Sequence, residues 1–481
     1  MKIFIIFFAI FIFSTFLVSG QSNPPAPIFP IPTQAQLAWH DMEINAFIHF
    51  TTNTFTDLEW GYGNESESVF NPTQANTNQW VSVLKETGFK GIILTCKHHD
   101  GFCLWPSTYT EHSVKNSPYK NGKGDIVREL SDECKKQNLK FGVYLSPWDR
   151  NRADYATPAY IEYYRNQLKE LFSNYGPIFE MWFDGANGGT GYYGGANEKR
   201  SINGHSYYDW PTTIDLVRSF EPNVIFFSDA GPGVRWCGNE EGHVSKTNWN
   251  MINTDSIYPG KSGLQNLLGT GTENGTRWIP AESDVSIRPG WFYHQKEDSL
   301  VKSPDQLFEI YLNTVGRGSL MLLNVPPDRR GMIHENDVKS LQGFKTILDH
   351  EFKNNLALGK RVKVSSVRGK SQTYDGSNLT DGNKESYWAT NDSTVTGSIE
   401  IKLGKETLVK YIVLQEYIAM GQRVKQFNVE ILNNGKWQKV ATETTIGHKR
   451  ILKIEPIKTS KIRINITDSR ACLVISEIGV Y

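Results

Sequence analysis

Cysteine is scarce in this chain: five in 481 residues, at Cys96, Cys103, Cys134, Cys237 and Cys472. So sparse and odd a set excludes a disulfide-built scaffold, and the lack of any Cys-x-x-Cys pair argues against a zinc ribbon. An excess of either charge is missing too. Lys plus Arg and Asp plus Glu each number 51, so the formal net charge is zero. No basic block offers a footprint for nucleic acid, and none offers one for anionic lipid. Beyond residue 20 no apolar run is long enough to cross a bilayer. Internal repeats and low-complexity tracts are absent from the sequence.

The first twenty residues have a character of their own. Lys2 precedes a nearly continuous apolar run, Ile3–Val18, and Leu17-Val-Ser-Gly20 supplies small residues before Gln21. The run is short for a membrane span and has no basic stop-transfer flank, so residues 1–20 read as a cleaved signal. The expected location is secreted, periplasmic or lysosomal, with no membrane attachment after cleavage. Sequons at Asn64, Asn274, Asn378, Asn391 and Asn465 matter where the source glycosylates secreted proteins.

Aromatic residues are plentiful, at 12% with 13 Trp and 21 Tyr. Such a supply suits stacking against sugars or apolar ligands, although large cores would use it as well. The length implies two or three domains. Short apolar runs recur at Ile44–Phe50, Gly91–Thr95, Leu139–Leu145, Phe179–Phe183, Val224–Ser228 and Leu320–Val325. They read as strands buried on both faces. Amphipathic stretches at Asn78–Thr87, Asp125–Lys136, Tyr160–Asn174 and Thr212–Phe220 read as helices, with Gly88 and Asn138 at C-terminal stops. This alternation predicts an α/β fold, a (β/α)8-like TIM barrel over residues 21–350. A doubly wound sheet is the alternative, but no glycine-rich phosphate loop follows the first strand. Residues 351–481 alternate apolar and polar positions, and Asn433-Asn434-Gly435 signals a hairpin. They predict a separate antiparallel β-sandwich.

Polar residues collect at the C-terminal ends of successive strands: His49; Lys97, His98, His99 and Asp100; Tyr144; then Asp184. In a barrel of this class those ends build the site. A lone His there is commonly a satisfied core group, but four consecutive strands ending this way point to function. Asp184 closes an apolar strand and opens a glycine-rich loop, the placement of a reacting carboxylate. Glycoside hydrolysis needs a second one of raised pKa. Glu240 and Glu241, after the fifth predicted strand, and Glu282 are the candidates. A metal site is the competing reading of Lys97-His98-His99-Asp100. Adjacent strand residues face opposite sides, and no His-x-x-x-His pair exists, so convergence on one ion is disfavoured. Neutral imidazoles both donate and accept hydrogen bonds, which suits sugar hydroxyls.

These motifs in order resemble the α-L-fucosidases of glycoside hydrolase family 29. The resemblance rests on Phe47-Ile-His49-Phe50, Leu58-Glu59-Trp60, Lys97-His98-His99-Asp100-Gly101-Phe102, Gly142-Val-Tyr144, Trp182-Phe183-Asp184-Gly185 and Leu322-Leu-Asn324-Val-Pro-Pro-Asp328. It implies a retaining exo-α-L-fucosidase acting on fucosylated oligosaccharides or glycoproteins, with no cofactor. Asp184 matches the nucleophile. His49, Glu59, Trp60, His98, His99, Tyr144 and Trp182 match positions that hold fucose or line its pocket. Gly238-Asn239-Glu240, Asn53-Thr-Phe55 and the Gly188–Arg200 insertion resemble the branch preferring α-1,3- and α-1,4-linked (Lewis-type) fucose, in which Glu240 matches the acid/base. Trp291 is expected to close the pocket. Retention would place the two carboxyls about 5–5.5 Å apart. The C-terminal part resembles a discoidin or factor 5/8 type C module through Asn355-Leu-Ala-Leu-Gly359, Leu379-Thr-Asp-Gly-Asn383 and Tyr387-Trp388. That resemblance carries sugar binding and a structural Ca²⁺ among its expectations. Competing classes are a broad-specificity fucosidase, a fucose-binding or adhesion protein on an inactive barrel, and a glycosidase for another sugar.

Overall fold

Eight short parallel strands close into a barrel: β1 (Ile44–Ile48), β2 (Gly91–Lys97), β3 (Lys140–Leu145), β4 (Glu180–Trp182), β5 (Ile225–Ser228), β6 (Val234–Trp236), β7 (Ala281–Ser286) and β8 (Leu320–Asn324). This is a computed structural model, and it describes residues 23–481. The signal expected at residues 1–20 lies outside the described residues. Helices Thr77–Glu86, Ile126–Gln137, Pro158–Asn174, Trp210–Phe220, Pro304–Asn313 and Glu335–Glu351 surround the barrel. Local chemistry sets their ends. Asn76 and Asp125 accept the N–H groups of Gln79 and Arg128, and Asn138 stops its helix in the left-handed conformation.

Alternation along each strand sorts the side chains. Inward positions form one cluster with Phe47, Ile93, Tyr144, Trp182, Ile225, Phe227 and Leu322. Outward neighbours such as Ile48, Leu94, Val143, Phe183 and Leu323 join a larger core under the helices. Each such buried side chain contributes about 1.5–3 kcal/mol, so the outer core holds the barrel together. Trp39, from helix Gln34–His40, enters the inner cluster and seals the amino-terminal end. The carboxyl-terminal end stays open.

The barrel departs from a full β/α repeat at one place. Only residues 229–233 link β5 to β6, and Val234 pairs with Phe227 at the end of β5. No helix fits in that link. Strands β6 and β7 were not expected from the sequence. β6 has three residues around buried Arg235, and β7 reads AESDVS, with Glu282 and Asp284 turned inward. Neither shows the apolar run that marks its neighbours. Glu240 accordingly follows the sixth strand, not the fifth.

After helix Glu335–Glu351 the chain becomes antiparallel. Its seven strands are β9 (Val362–Val364), β10 (Trp388–Ala389), β11 (Gly397–Glu416), β12 (Val424–Asn433), β13 (Lys436–Glu443), β14 (Arg450–Ser469) and β15 (Val474–Val480). They pair in the order β10-β15-β11-β14-β12-β13, with β9 on β11. The two twenty-residue strands β11 and β14 break register at two places and enclose a core around Trp388, Ile401, Phe427 and Ile464. Asn434 and Gly435 both have positive φ, which makes the β12–β13 turn of the kind that Asn-Gly favours. Gln422 ties this part to the barrel, accepting from Asn250 N at 2.8 Å and donating to Asn248 O at 2.9 Å. Around Leu379–Asn383, Asp381 accepts from Asn383 N and Ser386 Oγ. Among the described residues no group of three or more His, Cys, Asp or Glu is placed to hold a metal ion.

Candidate active site

A cavity of about 270 Å³ opens at the carboxyl-terminal end of the barrel. It is lined by Phe47, His49, Trp60, His98, His99, Tyr144, Trp182, Asp184, Ala186, Glu240, Asp284 and Trp291. Of the ten residues expected at the site, nine meet here, and none comes from the C-terminal sandwich.

The histidine side of the cavity holds its rings in defined tautomers. Asn324 donates its amide N–H groups to Ser286 Oγ (2.9 Å) and Trp291 O (2.8 Å), so its Oδ1 faces His49. His49 Nδ1 must donate to that oxygen at 2.8 Å, which leaves Nε2 as an acceptor. Ser146 donates its only proton to Trp148 O at 2.6 Å and therefore accepts from His99 Nδ1 at 2.7 Å. His99 Nε2 is likewise left as an acceptor. Burial pushes His49 down to about 3 and His99 to about 4, and it holds His98 well below the usual histidine value. All three are neutral through the physiological range. His98 Nδ1 is buried with no partner in the protein, a polar atom still to be satisfied.

Strand alternation argued against adjacent His98 and His99 converging on one point, although both were expected at the pocket. Their ring centroids lie 4.1 Å apart, because β2 ends at Lys97 and the turn that follows brings both to the cavity. Their sequence neighbours do other work. Lys97 is buried against Asp149 and Gln167, 3.0 Å from each. Asp100 accepts from the hydroxyls of Thr51 (2.8 Å) and Thr52 (2.6 Å).

The carboxyl side is different. Tyr144 donates its hydroxyl to Asp184 Oδ2 at 2.8 Å, and Ala186 N donates to Oδ1 at 2.6 Å. Those two bonds orient the carboxylate while it stays partly open to the cavity. Trp182 stacks on Phe227 at 3.7 Å and donates its indole N–H to Glu282 at 3.0 Å, which makes it a rigid floor. Glu240 stands at the rim and accepts from Trp291 Nε1 at 3.2 Å. Partial burial raises its pKa, the Trp291 indole opposes that, and the charges of Asp184 and Glu59 add to the rise.

The other two candidates for a second carboxyl fail on position. The side chain of Glu241 is 81% exposed and leans toward His243. Glu282 is fully buried beneath Trp182, beside Glu180, where burial pushes both carboxyls upward. Glu59 is the expected residue that does not line the cavity. It stands behind the cavity wall, accepting from Trp291 N (2.8 Å), Phe292 N (3.2 Å) and His294 Nε2 (2.6 Å). Those bonds tie Glu59 to the turn that carries Trp291. Asp284 is the wall residue that sequence reasoning missed. It accepts from Trp236 Nε1 at 3.0 Å, and burial followed by the charge of Glu240 raises it well above the usual range. The two-residue spacing of Glu282 and Asp284 on one strand was the signal that both face inward.

A cavity of sugar size with neutral acceptors on one side and carboxyls on the other is built for a glycoside. A sequence profile of the α-L-fucosidase family matches residues 27–351. The chain belongs to this family, glycoside hydrolase family 29. A factor 5/8 type C domain profile matches residues 361–478. α-L-Fucosidase 1 of Arabidopsis thaliana is 39% identical over 483 residues, covering 98% of this chain and 92% of its own. A family 29 fucosidase of Ruminococcus gnavus, solved in complex with fucose, is similar with a TM-score of 0.85 and 35% identity. That match covers 96% of this chain and 97% of the bacterial one. A family 29 member from an unknown rumen bacterium has a TM-score of 0.84 and 44% identity, covering 95% of this chain and 78% of its own. The protein is thus an α-L-fucosidase whose substrates are fucosylated glycans. Its chemistry requires no cofactor.

Proposed function

We propose that the protein is a secreted, retaining exo-α-L-fucosidase that releases L-fucose from α-1,3- and α-1,4-fucosylated, Lewis-type glycans. The observation that supports this most is the contrast between Asp184 and Glu240 on one cavity. Asp184 is oriented by a hydroxyl and a backbone N–H, as a nucleophile needs. Glu240 is raised toward the protonated form, as an acid needs. In the first step Glu240 gives its proton to the leaving glycosidic oxygen while Asp184 attacks the anomeric carbon. In the second, Glu240 takes a proton from water, which displaces Asp184 and frees fucose. His49 and His99 accept from fucose hydroxyls through Nε2, and the Phe47 and Trp182 rings carry the apolar face of the sugar.

The linkage preference rests on the Gly238-Asn239-Glu240 pattern, and secretion rests on the residue 1–20 signal. The reading is tested by following the anomer released from an aryl α-L-fucoside by NMR. A first-formed α-fucose supports retention, and a first-formed β-fucose overturns it. Activity on α-1,2-, α-1,3-, α-1,4- and α-1,6-linked oligosaccharides tests the preference, which fails if the α-1,2 or α-1,6 substrates are cleaved best.

A further inference from the structure

The turn after β7 carries more than Trp291. Its backbone lies against Glu59, so close that a Cβ at Gly290 would stand 2.4 Å from Glu59 Oε1. The turn also holds His294, which is 4% exposed. His294 Nε2 lies 2.6 Å from Glu59 Oε1, and Nδ1 lies 2.7 Å from Asp57 Oδ1. Carboxylates only accept, so an imidazole between two of them donates from both nitrogens and carries a positive charge. Its other charged neighbours are Glu297 and Lys296 on the same turn, and Arg329, 3.8 Å from Asp57. Hydrogen bonds to Asp57 and Glu59 outweigh the burial that would lower it, so its pKa is raised. From this clasp the contacts run through the Trp291 and Phe292 N–H groups to the Trp291 indole, and so to Glu240.

We propose that His294 is a positioning residue for the fucosidase reaction: as an imidazolium between Asp57 and Glu59, it fastens the turn that sets Trp291 against Glu240. The inference rests on Glu240 being the acid/base. Its consequence has a definite sign. The Trp291 indole stabilises ionised Glu240, and the charge of Glu59 opposes ionisation. Removing the imidazolium loosens the first effect and leaves the second less compensated. Both changes raise the proton affinity of Glu240. The alkaline limb of kcat/KM, where the free enzyme loses its acidic proton, then moves to higher pH.

The test compares pH profiles of kcat/KM on a fucosylated trisaccharide for the full-length enzyme, His294→Gln, Trp291→Phe, the double variant and Glu240→Gln. His294→Gln is expected to lower kcat/KM roughly 10- to 100-fold and to shift the alkaline limb upward. The double variant is expected to be no worse than Trp291→Phe alone, since both changes break one chain of contacts. Asp57→Asn guards against misfolding, because Asp57 is exposed and at φ 63, a conformation asparagine accepts. It should shift the limb in the same direction by less. An unmoved limb in both His294→Gln and Asp57→Asn, or losses that multiply in the double variant, would overturn the proposal. If Glu240→Gln keeps the alkaline limb, the acid/base reading fails instead, and the double variant alone then decides whether His294 acts through Trp291. A limb lost in Glu240→Gln but unmoved in His294→Gln sinks the clasp and spares the acid/base.

Discussion

On one side of the fucose pocket stand His49, His98 and His99, from the first two strands; on the other stand Asp184, Glu240 and Asp284, from the fourth, sixth and seventh. The first three are uncharged, and two have their tautomers set by neighbours. They present constant acceptors to a neutral sugar across the working pH range. The carboxyls line the same cavity, and burial raises Glu240 and Asp284 toward the protonated form. On the proposed mechanism, binding is the work of neutral histidines and bond cleavage is the work of the carboxyls. Burial produces both results, because it disfavours charge on histidine and carboxyl alike.

The strongest way to break this contrast is at Asp184, the proposed nucleophile. Asp184→Ala should cost roughly 10⁴-fold or more in kcat, since a residue acting in a unit takes most of the catalysis with it. Added azide should partly restore turnover and give an inverted fucosyl azide. A retained product would move the nucleophile elsewhere. Glu240→Ala should lose about 10²–10⁴-fold on a fucosylated oligosaccharide and far less on an aryl fucoside with a good leaving group. If Glu241→Ala shows that split instead, the assignment is wrong.

The histidine side gives smaller and differently shaped effects. His49→Phe and His99→Phe should each lower kcat/KM by about 10- to 100-fold, the cost of lost hydrogen bonds to a desolvated hydroxyl. Neither should move the alkaline limb, because neither group titrates there. The same burial gives a stability signature. Folded His49 and His99 lie at about 3 and 4, below the unfolded value of 6.5. The unfolded chain therefore binds protons that the folded chain refuses, so stability falls as pH drops from about 6.5 toward 4. Denaturant midpoints measured across that range should slope less in His99→Gln than in the natural protein. The smallest effect on turnover belongs to Lys97. Lys97→Met leaves Asp149 buried without its partner and should cost about 3–5 kcal/mol of stability, with kcat on the folded fraction unchanged.

The same two sides differ in how far they could be read from the amino-acid sequence. β1 to β4 are apolar runs, and each ends in a polar residue that reaches the site, so His49, Tyr144 and Asp184 stood out by position. β6 and β7 offered no such contrast. VRW is too short for a pattern, and AESDVS puts carboxyls where an apolar strand face belongs. Asp284 was hidden for that reason, since a barrel interior that admits carboxyls defeats an argument built on apolar runs. Glu59 was placed in the pocket by its motif, yet its oxygens are committed to a turn more than two hundred residues later in the chain. Spacing along the chain carries no information about such a contact. His98 and His99 were placed in the pocket by their motif, although strand alternation, which ceases to apply where the strand ends, argued against their converging.

The division between binding and reacting groups is most directly tested by trapping. A 2-deoxy-2-fluoro-fucosyl fluoride slows breakdown of a covalent intermediate, and peptide mass spectrometry then locates the attached sugar. The expected result is a fluorofucosyl group on Asp184, with none on Glu240, Asp284 or any pocket histidine. A label on one of those other residues, or a β-configured first product with no label at all, would contradict it.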